Sequence, residues 1–99
     1  MKALEILENL KKLCEELNEG ALIQRIDSFI KLNEGLETKK GKEFIEVSLL
    51  GFAEGILTTL KTKYKNEKIS ELLEETKKAR EELEQKFRRA KIPYFEGQT

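Results

Sequence analysis

Apolar residues in this chain recur at spacings of three and four, and they do so in four successive blocks. At about 100° per residue, positions 2 to 18 place Ala3, Ile6, Leu7, Leu10, Leu13, Cys14 and Leu17 in one arc, with Glu5, Glu8, Lys12, Glu15 and Glu16 opposite. Residues 21 to 33 gather Leu22, Ile23, Ile26, Phe29 and Ile30 on one side and Gln24, Asp27 and Lys31 on the other. Residues 42 to 65 are the most apolar block, and residues 67 to 91 carry Ile69, Leu72, Leu73, Thr76, Ala79, Leu83, Phe87 and Ala90 in a narrow stripe suited to packing along a neighbour. Such a pattern commits the chain to helices.

The breaks between the blocks have local causes. Gly20 and Gly35 accept the left-handed conformation that ends helices, and the stretch "GLETKKG", 35 to 41, has no apolar period. Asn66 can accept a hydrogen bond from the free N–H groups opening the last block. Pro93 lacks an N–H and restricts Ile92, so the fourth helix is expected to stop before it. The expected fold is a single all-α domain of four antiparallel helices (about 2–18, 21–33, 42–65 and 67–91) with a C-terminal tail over 92–99. With 99 residues there is room for one core and no second domain.

Composition narrows what such a domain does. Nineteen basic and 19 acidic side chains cancel, so no net field draws the chain to nucleic acid or an anionic membrane. Histidine is absent and Cys14 is the single cysteine, which removes the usual zinc ligand and proton-transfer base and any internal disulfide. Cys14 lies within the first apolar arc and reads as a small core residue. Glu5 and Glu8 interrupt what a signal peptide needs, and no apolar run approaches the ~20 residues of a membrane span. A cytoplasmic location is expected.

The third block presents two faces. Ile45, Leu49, Leu50, Phe52, Ala53, Ile56, Leu57, Leu60 and Tyr64 cover about half its circumference, and beside them run the small residues Ser48, Gly51, Gly55, Thr59 and Thr62. A mid-helix glycine costs about 0.8–1.0 kcal/mol relative to alanine, so two of them four apart imply another backbone at close range. That backbone belongs either to one of the chain's own helices or to the same helix of a second subunit at a two-fold axis. Glu54 falls on the remaining polar sliver, solvated or paired at the rim, with Arg80 of the fourth block a possible partner. Ile92, Tyr94 and Phe95 are too apolar to float and are expected to dock on a helix groove.

Candidate chemistry is thin. Glu43 and Glu46 share a helix side as E-x-x-E, similar to the Mg²⁺-holding pairs of all-helical nucleotide pyrophosphohydrolases. The second motif of that family ends in Asp, and the sole Asp here, Asp27, has no Glu three residues before it. Lys39, Lys40 and Lys42 gather at a helix N-terminus, where free N–H groups and the helix dipole attract anions. No phosphate-loop spacing accompanies them.

With its all-helical layout, the "GFAEG" helix and a Glu/Lys-rich surface, the chain resembles small proteins of unknown function from hyperthermophilic archaea of the Thermococcus kind. That resemblance implies a heat-stable helical domain and brings no activity or site residues. The expected function is a protein-interaction or scaffolding module that self-associates as a homodimer through Ser48, Gly51, Gly55, Thr59, Tyr94 and Phe95. No catalysis, cofactor, metal or membrane is expected, and nucleic acid is not the expected partner. The alternatives are anion or nucleic-acid binding through Lys39, Lys40 and Lys42, and a Mg²⁺-dependent pyrophosphohydrolase.

Overall fold

A computed structural model describes residues 1–36 and 41–96, with side chains described up to residue 86. The four helices are α1 (Lys2–Glu16), α2 (Gly20–Asn33), α3 (Lys42–Lys63) and α4 (Glu67–Glu96). They form an all-α four-helix domain with extents of 51 × 29 × 18 Å. The long axis matches α4, whose 30 residues span ~45 Å at 1.5 Å each. The short axis leaves room for two layers of helix.

The core is built where three apolar stripes meet. Ile6, Leu7 and Leu10 of α1, Leu50, Leu57 and Leu60 of α3 and Ile69 of α4 are fully buried. Leu49, Ala53 and Ile56 close the same cluster, as do Leu72 and Leu73. α1 and α3 each pack on the other three helices. α2 is the outlier, since Ile26 and Asn33 alone are buried in it.

The helix ends show where local chemistry departs from the sequence expectation. The left-handed residue after α1 is Asn18 (φ 58°), not Gly20. The Asn18 N–H donates to the carbonyl of Glu15 and the Glu19 N–H to that of Cys14, the paired bonds of a Schellman cap. Asparagine tolerates this conformation nearly as glycine does, which frees Gly20 to open α2. Gly41 (φ 86°) has the second positive φ, immediately before α3. Asn66 acts as expected, its side chain accepting from the Lys68 N–H at 2.9 Å.

α4 corrects the expected stop at Pro93, because its backbone stays helical to Glu96. A proline removes one N–H and crowds the carbonyl four residues back, which weakens a helix without barring the residues after it. The segment 92–96 is therefore the last part of α4 and not a separate tail. How Tyr94 and Phe95 pack lies outside the described side chains.

Polar groups tie the layers together. The Glu46 carboxylate on α3 accepts the Ala3 N–H at 3.3 Å, giving α1 the N-terminal acceptor its own sequence lacks. Lys11 of α1 pairs with Asp27 of α2 at 2.7 Å, and Lys68 of α4 with Glu16 of α1 at 3.1 Å. Thr76 is fully buried, and its hydroxyl donates to the Leu72 carbonyl at 2.7 Å. Among the described residues no helix is long and apolar enough to cross a membrane.

Two leucines separate burial from mere hydrophobicity. Leu57→Ala is expected to cost about 2–5 kcal/mol, read as a lower denaturant midpoint. Leu32→Ala, at a site 70% exposed, is expected to stay within about 0.5 kcal/mol.

Candidate functional site

α3 presents its small residues to the outside. Gly51 and Gly55 are both exposed, and a Cβ built on either meets nothing within 4 Å beyond its own helix. Ser48 is half-buried, and exposed Thr59 donates its hydroxyl back to the Gly55 carbonyl at 3.1 Å. Of the two explanations for the stripe, packing by the chain's own helices therefore finds no support among the described residues.

α2 borders the stripe and turns it into a groove. Leu22 and Arg25 of α2 face Gly51, Phe52, Gly55, Ile56 and Thr59 across a cleft of about 320 Å³. On the far side of Phe52 a second depression is lined by Ala21, Gln24, Arg25, Ser28, Phe29 and Leu32. The ridge between them is a parallel stack of Phe29 on Phe52, with ring centroids 4.1 Å apart and planes 5° from parallel. The sequence places Phe52 on the same large face of α3 as Ile56 and Leu60. The latter two are buried, whereas Phe52 is half-exposed, packed against the edge of the core and stacked on Phe29 of α2. Leu32 at 70% and Phe44 at 53% add exposed apolar surface on the same two helices.

This surface was only partly visible beforehand. Ser48, Gly51, Gly55 and Thr59 lie together along one side of α3, as their spacing implies. Leu32 and Arg25 were not anticipated. Leu32 carried a signal, since it falls outside the apolar arc of α2 and so had no reason to be inside.

The other candidates disperse. Lys39 and Lys40 lie outside the described residues, and Lys42 is an exposed residue at the start of α3. Lys61 and Lys65, basic residues at the end of α3, share an open depression with Glu67 and Glu71, which offset their charge locally. Glu46 is turned to the N-terminus of α1 and Glu43 is exposed. Among the described residues no three His, Cys, Asp or Glu side chains are grouped to hold a metal ion. Cys14 is buried, and that burial, helped by the Glu19 charge, pushes its thiol above the ordinary value.

On the α4 side of α3 lies a contrasting site. Arg80 gives its guanidinium to Glu54 through Nε at 2.5 Å and Nη2 at 3.3 Å, and to Glu84 through Nη1. Glu54 is thus paired at the rim by the arginine that the sequence nominated.

A second polar cluster lies where α2 begins and α3 ends. Glu19 Oε2 accepts from Lys63 Nζ at 2.7 Å and from the Tyr64 hydroxyl at 2.5 Å, linking the start of α2 to the end of α3. These two donors hold the Glu19 carboxyl below the ordinary range.

Similarity to other proteins agrees with this architecture. A family model described as "Protein of unknown function (DUF3216)" matches residues 7–97. The chain belongs to the DUF3216 family. It is also similar to a solved structure titled "Crystal structure of a singleton protein PF1176 from P. furiosus", at 53% identity and a TM-score of 0.77, covering 80% of this chain and 87% of that one. No curated protein matches it. The DUF3216 assignment agrees with the resemblance to small proteins of unknown function and supplies no reaction or ligand.

Two measurements follow for this DUF3216 chain. Gly51→Ala and Gly55→Ala are each expected to stabilise the isolated chain by up to about 1 kcal/mol, since helix propensity improves and the added methyl meets open space. A loss of stability in urea would instead reveal a backbone packed on the stripe. For Glu19 the folded pKa is depressed, so its contribution is complete above the ordinary carboxylate range and is lost as pH falls through the folded value. Glu19→Gln is therefore expected to be less stable than the wild type at pH 7 and to converge with it on acidification, as thermal melts across pH would show.

Proposed function

We propose that the protein is an interaction module whose α2/α3 face receives a helix from another chain. The observation that carries this reading is the pair of exposed glycines lining a cleft between α2 and α3. Each lowers the stability of α3 by about 1 kcal/mol relative to alanine, and no contact among the described residues offsets it. A helix laid into the cleft would, because backbone approaches backbone most closely where Cβ atoms are missing. Leu22 and the half-exposed Phe29/Phe52 ridge would then be covered on the same docking.

The homodimer expected from the sequence is one form of this module and is the first to measure. Gly55→Leu places a branched side chain on the lining of the cleft, at a cost to docking of about 1–3 kcal/mol from overpacking. Light scattering is expected to show the complex weakened while circular dichroism shows full helix content. A wild-type dimer indifferent to leucine at 55 would remove the face from the interface. So would a variant that loses stability at unchanged mass.

A further inference from the structure

We infer that α2 opens as a unit of its own while α1, α3 and α4 stay packed, and that the carboxylate of Glu19 is the latch that holds it shut. This opening does not depend on the α2/α3 cleft being a docking surface.

Burial is divided unevenly among the helices. Six residues of α1 and seven of α3 are buried, and Ile69, Leu72, Leu73 and Thr76 of α4 are buried with them. These three helices pack on one another pairwise, so their shared core closes without α2. α2 adds one fully buried apolar side chain, Ile26, while Leu22, Ile23, Phe29 and Ile30 are only partly covered. The buried Asn33 donates its side-chain amide to the Phe29 carbonyl at 2.8 Å, a bond internal to α2. Departure of α2 therefore uncovers less apolar surface than departure of α1 or α3, and it is the uncovering of apolar surface that opposes such a motion. At 14 residues α2 has a length that is marginal for a helix free in water, so once detached it unravels and releases its amide protons to solvent. In the opened form the α2/α3 cleft no longer exists and the core surface under Ile26 is uncovered.

Among the described residues, two polar links join α2 and its N-cap residue to neighbouring helices. Asp27 pairs with Lys11 of α1 at 2.7 Å, but its side chain is 55% exposed and solvent screens the pair. The Glu19 side chain is 15% exposed, and the residue joins three helix ends. Its N–H donates to the Cys14 carbonyl in the cap of α1, and its own carbonyl accepts from the Leu22 and Ile23 N–H groups at the start of α2. Its carboxylate accepts from Lys63 Nζ and the Tyr64 hydroxyl at the end of α3. Without that carboxylate the start of α2 stays joined to α1 through the backbone and loses this hold on α3.

The test is native-state hydrogen exchange on the full chain at one pH and low urea. Amides 24–33 of α2 are expected to exchange faster than those at the buried centre of α3, through an opening with a weaker dependence on urea. Ile69→Val, in the core shared by the other three helices, is expected to speed exchange in α1, α3 and α4 and to leave α2 at the wild-type rate. Glu19→Ala is expected to speed exchange of α2 about fivefold. Tyr64→Phe is expected to add nothing on the Glu19→Ala background, which separates the clasp from any effect of the Glu19 charge on the α2 dipole. If α2 exchanges only together with α3, or Ile69→Val accelerates both equally, α2 is no separate unit and the inference fails. If α2 opens alone but ignores Glu19→Ala, or Tyr64→Phe acts in full on the Glu19→Ala background, Glu19 is not the latch and that part is overturned.

Discussion

Burial of α3 against α1 and α4 is the constraint from which the rest of the structure follows. Leu50, Leu57 and Leu60 are fully enclosed by Ile6, Leu7, Leu10 and Ile69, and this seam concentrates the buried apolar surface. Each fully buried aliphatic side chain contributes about 1.5–3 kcal/mol by transfer from water, far more than any exposed polar tie in the molecule. Once those three helices are packed, a good part of the apolar circumference of α3 is used. α2 is left to cover what remains, and a 14-residue helix with a broad apolar arc covers it incompletely. The half-exposed aromatic ridge and the open glycines are consequences of that shortfall.

Electrostatics in this protein fixes where elements sit more than it holds them together. The ion pairs Lys11–Asp27, Lys68–Glu16 and Lys2–Glu75 join different helices but are substantially exposed on at least one side. Pairs of that kind contribute little individually, because solvent screens them and long side chains must be ordered. Their placement is nonetheless systematic, since α1 is tied to α2 by one and to α4 by the other two. Glu46 and Glu19 perform a related service at helix ends, where backbone N–H groups or flexible junctions would otherwise lack a partner. A Glu/Lys-rich surface organised this way agrees with the composition of heat-adapted proteins.

Periodicity made the helices legible, and end chemistry made them hard to delimit. All four blocks became helices because spacing of three and four places apolar groups on one side whatever the tertiary context. The ends depended on competition. At 18 to 20 both Asn18 and Gly20 were able to take the left-handed position, and the Schellman bonds selected Asn18. At Pro93 a strong local rule yielded to continuation of α4. The site was half legible for a similar reason. A helical wheel locates Gly51 and Gly55 on one side of α3, but which neighbour covers that side is a property of the assembled bundle. Phe52 and Arg25 depended on where α2 settled, and nothing local to either residue encodes that.

The position of α2 also gives the candidate surface its physical character. One wall of the cleft is α2, in which Ile26 and Asn33 are the buried residues, so the cleft has its shape only while α2 is seated. The seat is held by Ile26 in the core, by Phe29 stacked on Phe52, and at its start by Glu19 gripping Lys63 and Tyr64. A helix lying in the cleft would contact α2 and α3 together and would favour the seated arrangement in proportion to its occupancy. Such docking would link occupancy of the cleft to local order of α2, and Glu19, outside the lining of the cleft, would then influence binding with no direct contact.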